Sequence, residues 1–240
     1  MSSAAPVLPT PLRVLAWRAP DAAVSSLDRA LAPWKVDERM HVEELRQASE
    51  IALRQALAQP WHVVVLADVR GKAQPAARLA QLQMQASDGG LREVSAQHLG
   101  ALLAGCASLR LVVLLDGDPG LGPLIASILV RTGVPAAIAT TERDGGGLAA
   151  FAGELRAALL EGQPLAAVFG NRLGIQVAVR EPGAALWSPA PPTAAGPATA
   201  SAPAPAAPSA EDLARTALQR KRRAGAFDVF LCHNGADKPA

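Results

Sequence analysis

The chain has 240 residues, enough for one large or two small domains, and its 23 Lys and Arg nearly balance 21 Asp and Glu, for a net charge of +2. This balance excludes a histone-like or heparin-binding polycation, and a hydrophobic fraction of 50% excludes wholesale disorder. Two cysteines exclude a disulfide framework and a zinc site with four cysteine ligands, and 3% aromatic residues argue against a stacking surface for nucleic-acid bases.

The chain shows no sign of export or of membrane insertion. Its first residues, MSSAAPVLPTPLRVL, have neither the basic start nor the apolar stretch of a signal peptide. The most apolar long segment, residues 121–139, contains Arg131, Gly133 and Pro135, so it does not predict a membrane span. We therefore expect a soluble cytoplasmic protein with no membrane partner.

The first 187 residues alternate apolar runs with segments of helical periodicity. Four apolar runs predict strands: residues 12–17, 61–67, 109–115 and 134–140. Five segments with helical spacing predict helices: residues 42–58, 95–104, 121–132, 147–161 and 165–173. We expect Ser95 to cap the second of these helices and Gly133 to end the third. The pattern predicts an α/β fold with a mainly parallel sheet and helices on both faces.

The carboxyl-terminal quarter has a different composition. Residues 188–210 contain seven Pro and ten Ala and no charged side chain, so they cannot bury a core and predict a linker. This linker separates the body, residues 1–187, from a predicted basic helix at residues 211–225. A fifth apolar run, FDVFL, then predicts a strand within residues 226–240.

Two predicted strands of the body lead into unusual loops, DVRG at residues 68–71 and DGDPG at residues 116–120. In parallel α/β sheets, ligands and catalytic groups lie beyond the carboxyl ends of the strands. Asp116 and Asp118 are therefore candidates for magnesium or phosphate chemistry. The competing interpretation is a solvated turn made of Gly, Asp and Pro.

The body resembles a CHAT domain, a caspase-like fold of the clan that includes separases. The similarity covers about residues 12–187 and rests on LRLVVLLDGDPG, LIASILVRTGVPAAIATT and LAAFAGELRAALLEGQPLAAVFGNR. Within these runs, residues 133–140 match the strand pattern of the family, and residues 155–168 match the helix and turn that follow it. The resemblance implies a caspase-like fold for the body.

Active members of this family carry His-Gly after the first of these strands and Cys after the second. The Cys thiolate attacks a carbonyl, and the His serves as its base. In this chain the His-Gly position falls at Val69, Arg70 and Gly71, and the Cys position falls near Gly117. Neither catalytic group is present. The resemblance therefore implies the fold and argues against peptidase activity.

Other residues offer alternatives to the missing dyad. Cys106 with His62 or His98 would form a displaced dyad. Cys106 precedes its strand and His62 begins its strand, so both are expected at the opposite edge of the sheet. A buried structural thiol is the competing interpretation. The basic run at residues 220–223 suits the end of a helix better than a nucleic-acid site. We expect no metal and no resident cofactor in this chain.

Residues 226–240, AFDVFLCHNGADKPA, resemble the first box of a TIR domain, a flavodoxin-like unit. Seven positions match: Phe227, Asp228, Val229, Phe230, His233, Asp237 and Lys238. Cys232 stands where Ser is usual. The family assembles through TIR–TIR contacts or cleaves NAD at the bond to nicotinamide. The resemblance places a candidate NAD-binding loop at His233, Asn234, Asp237 and Lys238.

The catalytic glutamate of the TIR family lies well downstream of the first box, beyond residue 240. We therefore expect no NAD cleavage by these 240 residues alone, and we interpret the tail as the start of a truncated TIR domain. Together the features predict a signalling or defence protein with a degenerate CHAT-like sensing or interaction domain and protein partners. The alternatives are a CHAT-type cysteine peptidase with a displaced nucleophile and a phosphate-handling enzyme that uses Asp116 and Asp118.

Overall fold

The computed structural model describes seven stretches of the chain: residues 6–18, 25–45, 49–86, 89–115, 119–142, 145–181 and 185–188. All of them belong to one unit of the chain, residues 1–191. The predicted linker beyond Ser188, the basic helix and the TIR-like box lie outside the described residues, as do Asp116, Gly117 and Asp118.

Strands and helices alternate through most of this unit. The described strands are β1 (Leu12–Arg18), β2 (Met40–Leu45), β3 (Val63–Ala67), β4 (Gly71–Gln74), β5 (Leu79–Gln85), β6 (Leu91–Ser95), β7 (Leu111–Leu115), β8 (Ala136–Thr140) and β9 (Ile175–Val179). The described helices are α1 (Ser25–Lys35), α2 (Glu50–Ala56), α3 (Ala96–Ala104), α4 (Leu121–Thr132), α5 (Gly145–Glu161) and α6 (Leu165–Phe169).

Six of the described strands form a central sheet in the order β2-β1-β3-β7-β8-β9. Its first five strands run parallel, and β9 pairs antiparallel with β8. The predicted α/β class with a mainly parallel sheet is confirmed. The remaining three described strands form a separate antiparallel sheet in the order β4-β5-β6, which the sequence analysis did not predict.

Both faces of the central sheet are covered, as predicted. Helices α1, α5 and α6 pack on one face, where Trp34, Phe151 and Phe169 are buried. Helices α2, α3 and α4 and the small sheet contribute to the core on the other face, where Trp17 and Trp61 are buried. Every residue of β3, β7 and β8 is buried. This explains why these strands are apolar at consecutive positions instead of alternating.

Several predicted boundaries are confirmed closely. Helix α3 begins after Ser95, whose Oγ accepts a hydrogen bond from the backbone N–H of His98 at 3.1 Å. Helix α4 spans residues 121–132 and ends at Gly133, which has a φ of 129°. Only a glycine adopts that φ without strain, so the residue type itself ends the helix there.

The prediction of a single helix over residues 42–58 is wrong. Met40–Leu45 form strand β2, parallel to β1, and helix α2 begins only at Glu50. Ser49 caps this helix by accepting a hydrogen bond from the N–H of Ala52 at 3.2 Å. The apolar spacing in this region fits a helix, but backbone pairing with β1 overrides the local preference.

Helices α3 and α4 cross closely at a glycine. A Cβ added to Gly100 would lie 1.9 Å from Oγ1 of Thr132, so no side chain fits there. Thr132 is held in place because its Oγ1 donates to the carbonyl groups of Ile128 and Leu129 in its own helix. The crossing therefore brings the middle of α3 and the end of α4 together.

We expect Gly100→Ala to lower the free energy of unfolding by about 1–3 kcal/mol, since overpacking forces the helices apart. Gly153, inside α5, is the matched control because its added Cβ would meet no atom within 4 Å. There, replacing glycine by alanine in a helix should raise stability by about 0.5–1 kcal/mol. Urea unfolding of both variants is the measurement, and equal changes would contradict the close crossing.

Candidate functional site

The candidate site lies where two neighbouring parallel strands end. β3 pairs with β7 in register from Val63 opposite Leu111 to Ala67 opposite Leu115, so both strands end level at one edge. The N–H of Asp68 donates to the carbonyl of Leu115 at 3.2 Å, which joins the first residue after β3 to the last residue of β7. The strand ends that precede the two loops singled out in the sequence therefore lie side by side.

The backbone turns sharply at Asp68. Its φ is 54°, in the left-handed region that residues other than glycine seldom adopt. Its side chain is half-buried. Unusual backbone of this kind is enriched at functional sites, and here it directs the chain out of the central sheet towards the small sheet.

The three residues at the His-Gly position have structural surroundings that differ from one another. Val69 is buried in the core. Arg70 is exposed, and its carbonyl accepts a hydrogen bond from the N–H of Gln83 at 2.8 Å. A Cβ on Gly71 would lie 1.9 Å from the carbonyl oxygen of Gln81. None of the three side chains can take a proton from a nucleophile, because a guanidinium is already protonated.

The Cys position near Gly117 and the candidate magnesium ligands Asp116 and Asp118 lie outside the described residues. The next described residue is Pro119, and helix α4 begins at Leu121 after Gly120. Among the described residues, no group of three or more His, Cys, Asp and Glu side chains is placed to hold a metal ion.

Cys106 is buried on the amino-terminal side of β7. Its Sγ lies 3.7 Å from the carbonyl oxygens of Gln59 and Trp61 and 3.4 Å from Oγ of Ser108. Ser108 in turn donates to the carbonyl of Trp61 at 2.9 Å. The thiol is thus part of the packing between the segments that lead into β3 and β7, at the edge opposite the candidate site.

Both candidate histidines have other partners. Nδ1 of His62 accepts the backbone N–H of Arg13 at 2.9 Å, and burial, with a smaller contribution from the Arg13 charge, lowers the pKa of His62. Nε2 of His98 lies 2.9 Å from Oε1 of Glu50. In the described part of the chain, no hydrogen bond joins either histidine to Cys106. The structure does not assemble the displaced dyad.

A comparison with protein-family models finds no match to this chain, and a comparison with curated proteins finds none either. Among the described helices, none is long and apolar enough to cross a membrane. The candidate NAD-binding residues of the tail, His233, Asn234, Asp237 and Lys238, lie outside the described residues.

We expect His62 to make stability depend on pH. Its folded pKa lies below the ordinary 6.5, so its contribution is complete above that value and is lost as the pH falls through it, because the unfolded chain then binds the extra proton. His62→Asn preserves an acceptor for the Arg13 N–H but does not titrate. Chemical unfolding between pH 7.5 and 5 should show a shallower loss for this variant.

The exposed His41 on strand β2 supplies the matched control, His41→Asn. If His62→Asn and His41→Asn follow the same pH profile, His62 does not cause the dependence. A titration of the His62 ring followed by NMR gives its pKa directly.

Proposed function

We propose that this chain is a signalling or defence protein whose body is a catalytically degenerate CHAT-like domain that senses or binds a protein partner. The segment after the linker would belong to a TIR domain. That domain would pass the signal on through TIR–TIR contacts or through cleavage of NAD. In this proposal NAD is a substrate of the TIR domain, and the 240 residues hold no cofactor.

The observation that carries the proposal is the level ending of β3 and β7. A nucleophile and its base must lie within hydrogen-bond reach, and adjacent strand ends are suited to this. The resemblance places its two catalytic positions in the loops that follow these strands. A mainly parallel sheet covered on both faces also supports a caspase-like body. With Val69, Arg70 and Gly71 at one position and Gly117 at the other, binding is the function that the scaffold still supports.

The TIR part rests on residues 226–240 and on their setting. Seven matches to the first box follow a predicted helix and a predicted linker, an arrangement that joins separate domains. His233, Asn234, Asp237 and Lys238 are the proposed loop that faces NAD. The protein partners of this part would include other TIR domains.

We expect a rebuilt dyad to lower the pKa of an introduced thiol. Gly117→Cys combined with Arg70→His, in a Cys232→Ser background, should react with iodoacetamide at pH 6 about tenfold faster than Gly117→Cys alone, because a neighbouring imidazolium stabilises the thiolate. Cys106 is buried, so the introduced thiol is the accessible one.

Arg92→His with Gly117→Cys is the control for this experiment, since Arg92 is an exposed arginine on strand β6. Equal rates for the Arg70→His and Arg92→His combinations would mean that positions 70 and 117 do not face each other. The assignment of the body to a CHAT-like domain would then fail.

The TIR part is tested on the protein purified from its own cell, whose intact mass is measured alongside the release of nicotinamide from NAD. Where the intact mass exceeds the 24.7 kDa of these 240 residues by a domain, we expect nicotinamide release. This release should be lost in Phe230→Asp, because a charge would disrupt the apolar first strand of the domain. Pro205→Ala, in the predicted linker, should have no effect. Absence of both nicotinamide release and self-association would contradict the TIR proposal.

A further inference from the structure

A groove lies where the small sheet meets helices α3 and α4. It has a volume of about 370 Å³ and is lined by Arg78, Leu79, Gln97, Ile128, Arg131 and Thr132. The close crossing of α3 and α4 at Gly100 holds two of its walls together. The third wall comes from the turn that joins β4 to β5. None of these residues belongs to the two degenerate catalytic positions.

Two arginines give the groove its charge. Arg78 and Arg131 are both exposed, and both line it. In the part of the chain that the structure describes, neither arginine is in an ion pair with a carboxylate. Their guanidinium groups remain available for an anion from outside, and a guanidinium fork is well shaped for a carboxylate.

Arg78 is held in an unusual backbone conformation. It follows the short 3₁₀ helix Pro75–Ala77 with φ 53° and ψ 39°, in the left-handed region. Glycine or asparagine is the common choice for such a position, because other residues are strained there. An arginine at this turn therefore lowers the stability of the fold. Strained residues of this kind are found most often at sites that contact a ligand.

The groove continues onto the outward face of the small sheet. A second depression of about 90 Å³ shares Leu79 and Gln97 with the first and is also lined by Lys72, Gln74, Gln81 and Ser95. Lys72 is paired with Glu93 at 2.6 Å, so this end is nearly neutral. Glutamine side chains both donate and accept hydrogen bonds, as a peptide backbone does.

We propose that this groove binds an extended acidic peptide segment of a protein partner, with its carboxylates on Arg78 and Arg131 and its backbone along the glutamines. Leu79, 46% exposed between the two depressions, offers an apolar contact that such a segment would cover. No aromatic side chain lines either depression, so a nucleotide base would have no ring on which to stack. This proposal gives a surface to the interaction role proposed above.

The experiment is a selection of random ten-residue peptides, displayed on phage, against the immobilised 240-residue chain. Enriched peptides should contain at least two Asp or Glu residues. A synthetic copy of the most enriched peptide is then measured by fluorescence polarisation. Arg78→Gln with Arg131→Gln should weaken its Kd by about tenfold or more, because hydrogen bonds to charged groups are lost.

Arg92→Gln with Arg110→Gln removes the same two charges from positions outside the groove and should change the Kd less than about twofold. Equal weakening by both double variants would overturn the proposal, since general attraction would then explain binding. Enrichment of neutral or basic peptides, or no enrichment over an unrelated protein, would also overturn it. Tighter binding of a ten-thymidine oligonucleotide through Arg78 and Arg131 would assign the groove to nucleic acid instead.

Arg78→Gly separates binding from folding. Glycine adopts the left-handed conformation freely, so this variant should melt at or above the temperature of the unchanged protein while its Kd for the peptide weakens. If the rebuilt dyad fails while peptide binding persists, the CHAT-like assignment falls and the groove stands. If the rebuilt dyad works but no peptide binds, only the proposal about the groove falls.

Discussion

The burial of β3, β7 and β8 on both faces constrains everything else in the described structure. A parallel strand between two helical layers has no position at which a charged side chain meets water. Val63–Ala67, Leu111–Leu115 and Ala136–Thr140 satisfy this with aliphatic and small residues, and Thr140, the last of them, is the one hydroxyl among the three strands. Polar chemistry can therefore appear only past the strand ends, which is where the loop after β3 presents Asp68 and Arg70.

The helical layer formed by α1 and α5 is held together by a few polar contacts. Nε1 of Trp34 on α1 donates to the carbonyl of Ala152 on α5 at 2.8 Å, which binds two helices of the same layer. Asp37, after α1, accepts hydrogen bonds from Arg39 and from Arg156 of α5. These hydrogen bonds hold the pKa of the Asp37 carboxyl well below its usual range, and the bond from Arg39 has the largest effect. These contacts fix helix α1 relative to helix α5 within an otherwise apolar layer.

The sequence predicted the elements whose signal is local. Continuous apolar runs identified β3, β7 and β8, and Ser95 and Gly133 marked helix ends correctly. Strand β2 was wrongly predicted as helix. It is a polar strand at the edge of the sheet, and its conformation depends on pairing with β1, which the local sequence does not show. Helix α1 was not predicted, and it contains Pro33, a residue that disfavours the interior of a helix. Helix α6 was predicted to reach residue 173 but ends at Phe169. Strand β5 alternates Ala80, Leu82 and Met84 with glutamines, a period of two that would have revealed it.

The same division applies to the sites. The strand-end loops were predictable because parallel topology brings them to one edge. The groove was not, since residues 78, 97 and 131 become neighbours only when the small sheet and two helices pack together. No spacing along the chain links them.

Under the CHAT-like proposal, Gly71 shows how the two residues of a His-Gly signature would change unevenly. The backbone of Gln81 leaves no room for a Cβ at this position, whether or not a histidine precedes it. The exposed position 70 carries no such restriction on its side chain. Selection for folding alone would preserve the glycine while the neighbouring residue drifts, so half of a catalytic signature can outlive the chemistry. A surviving glycine in such a pair is a record of packing and carries no information about past activity.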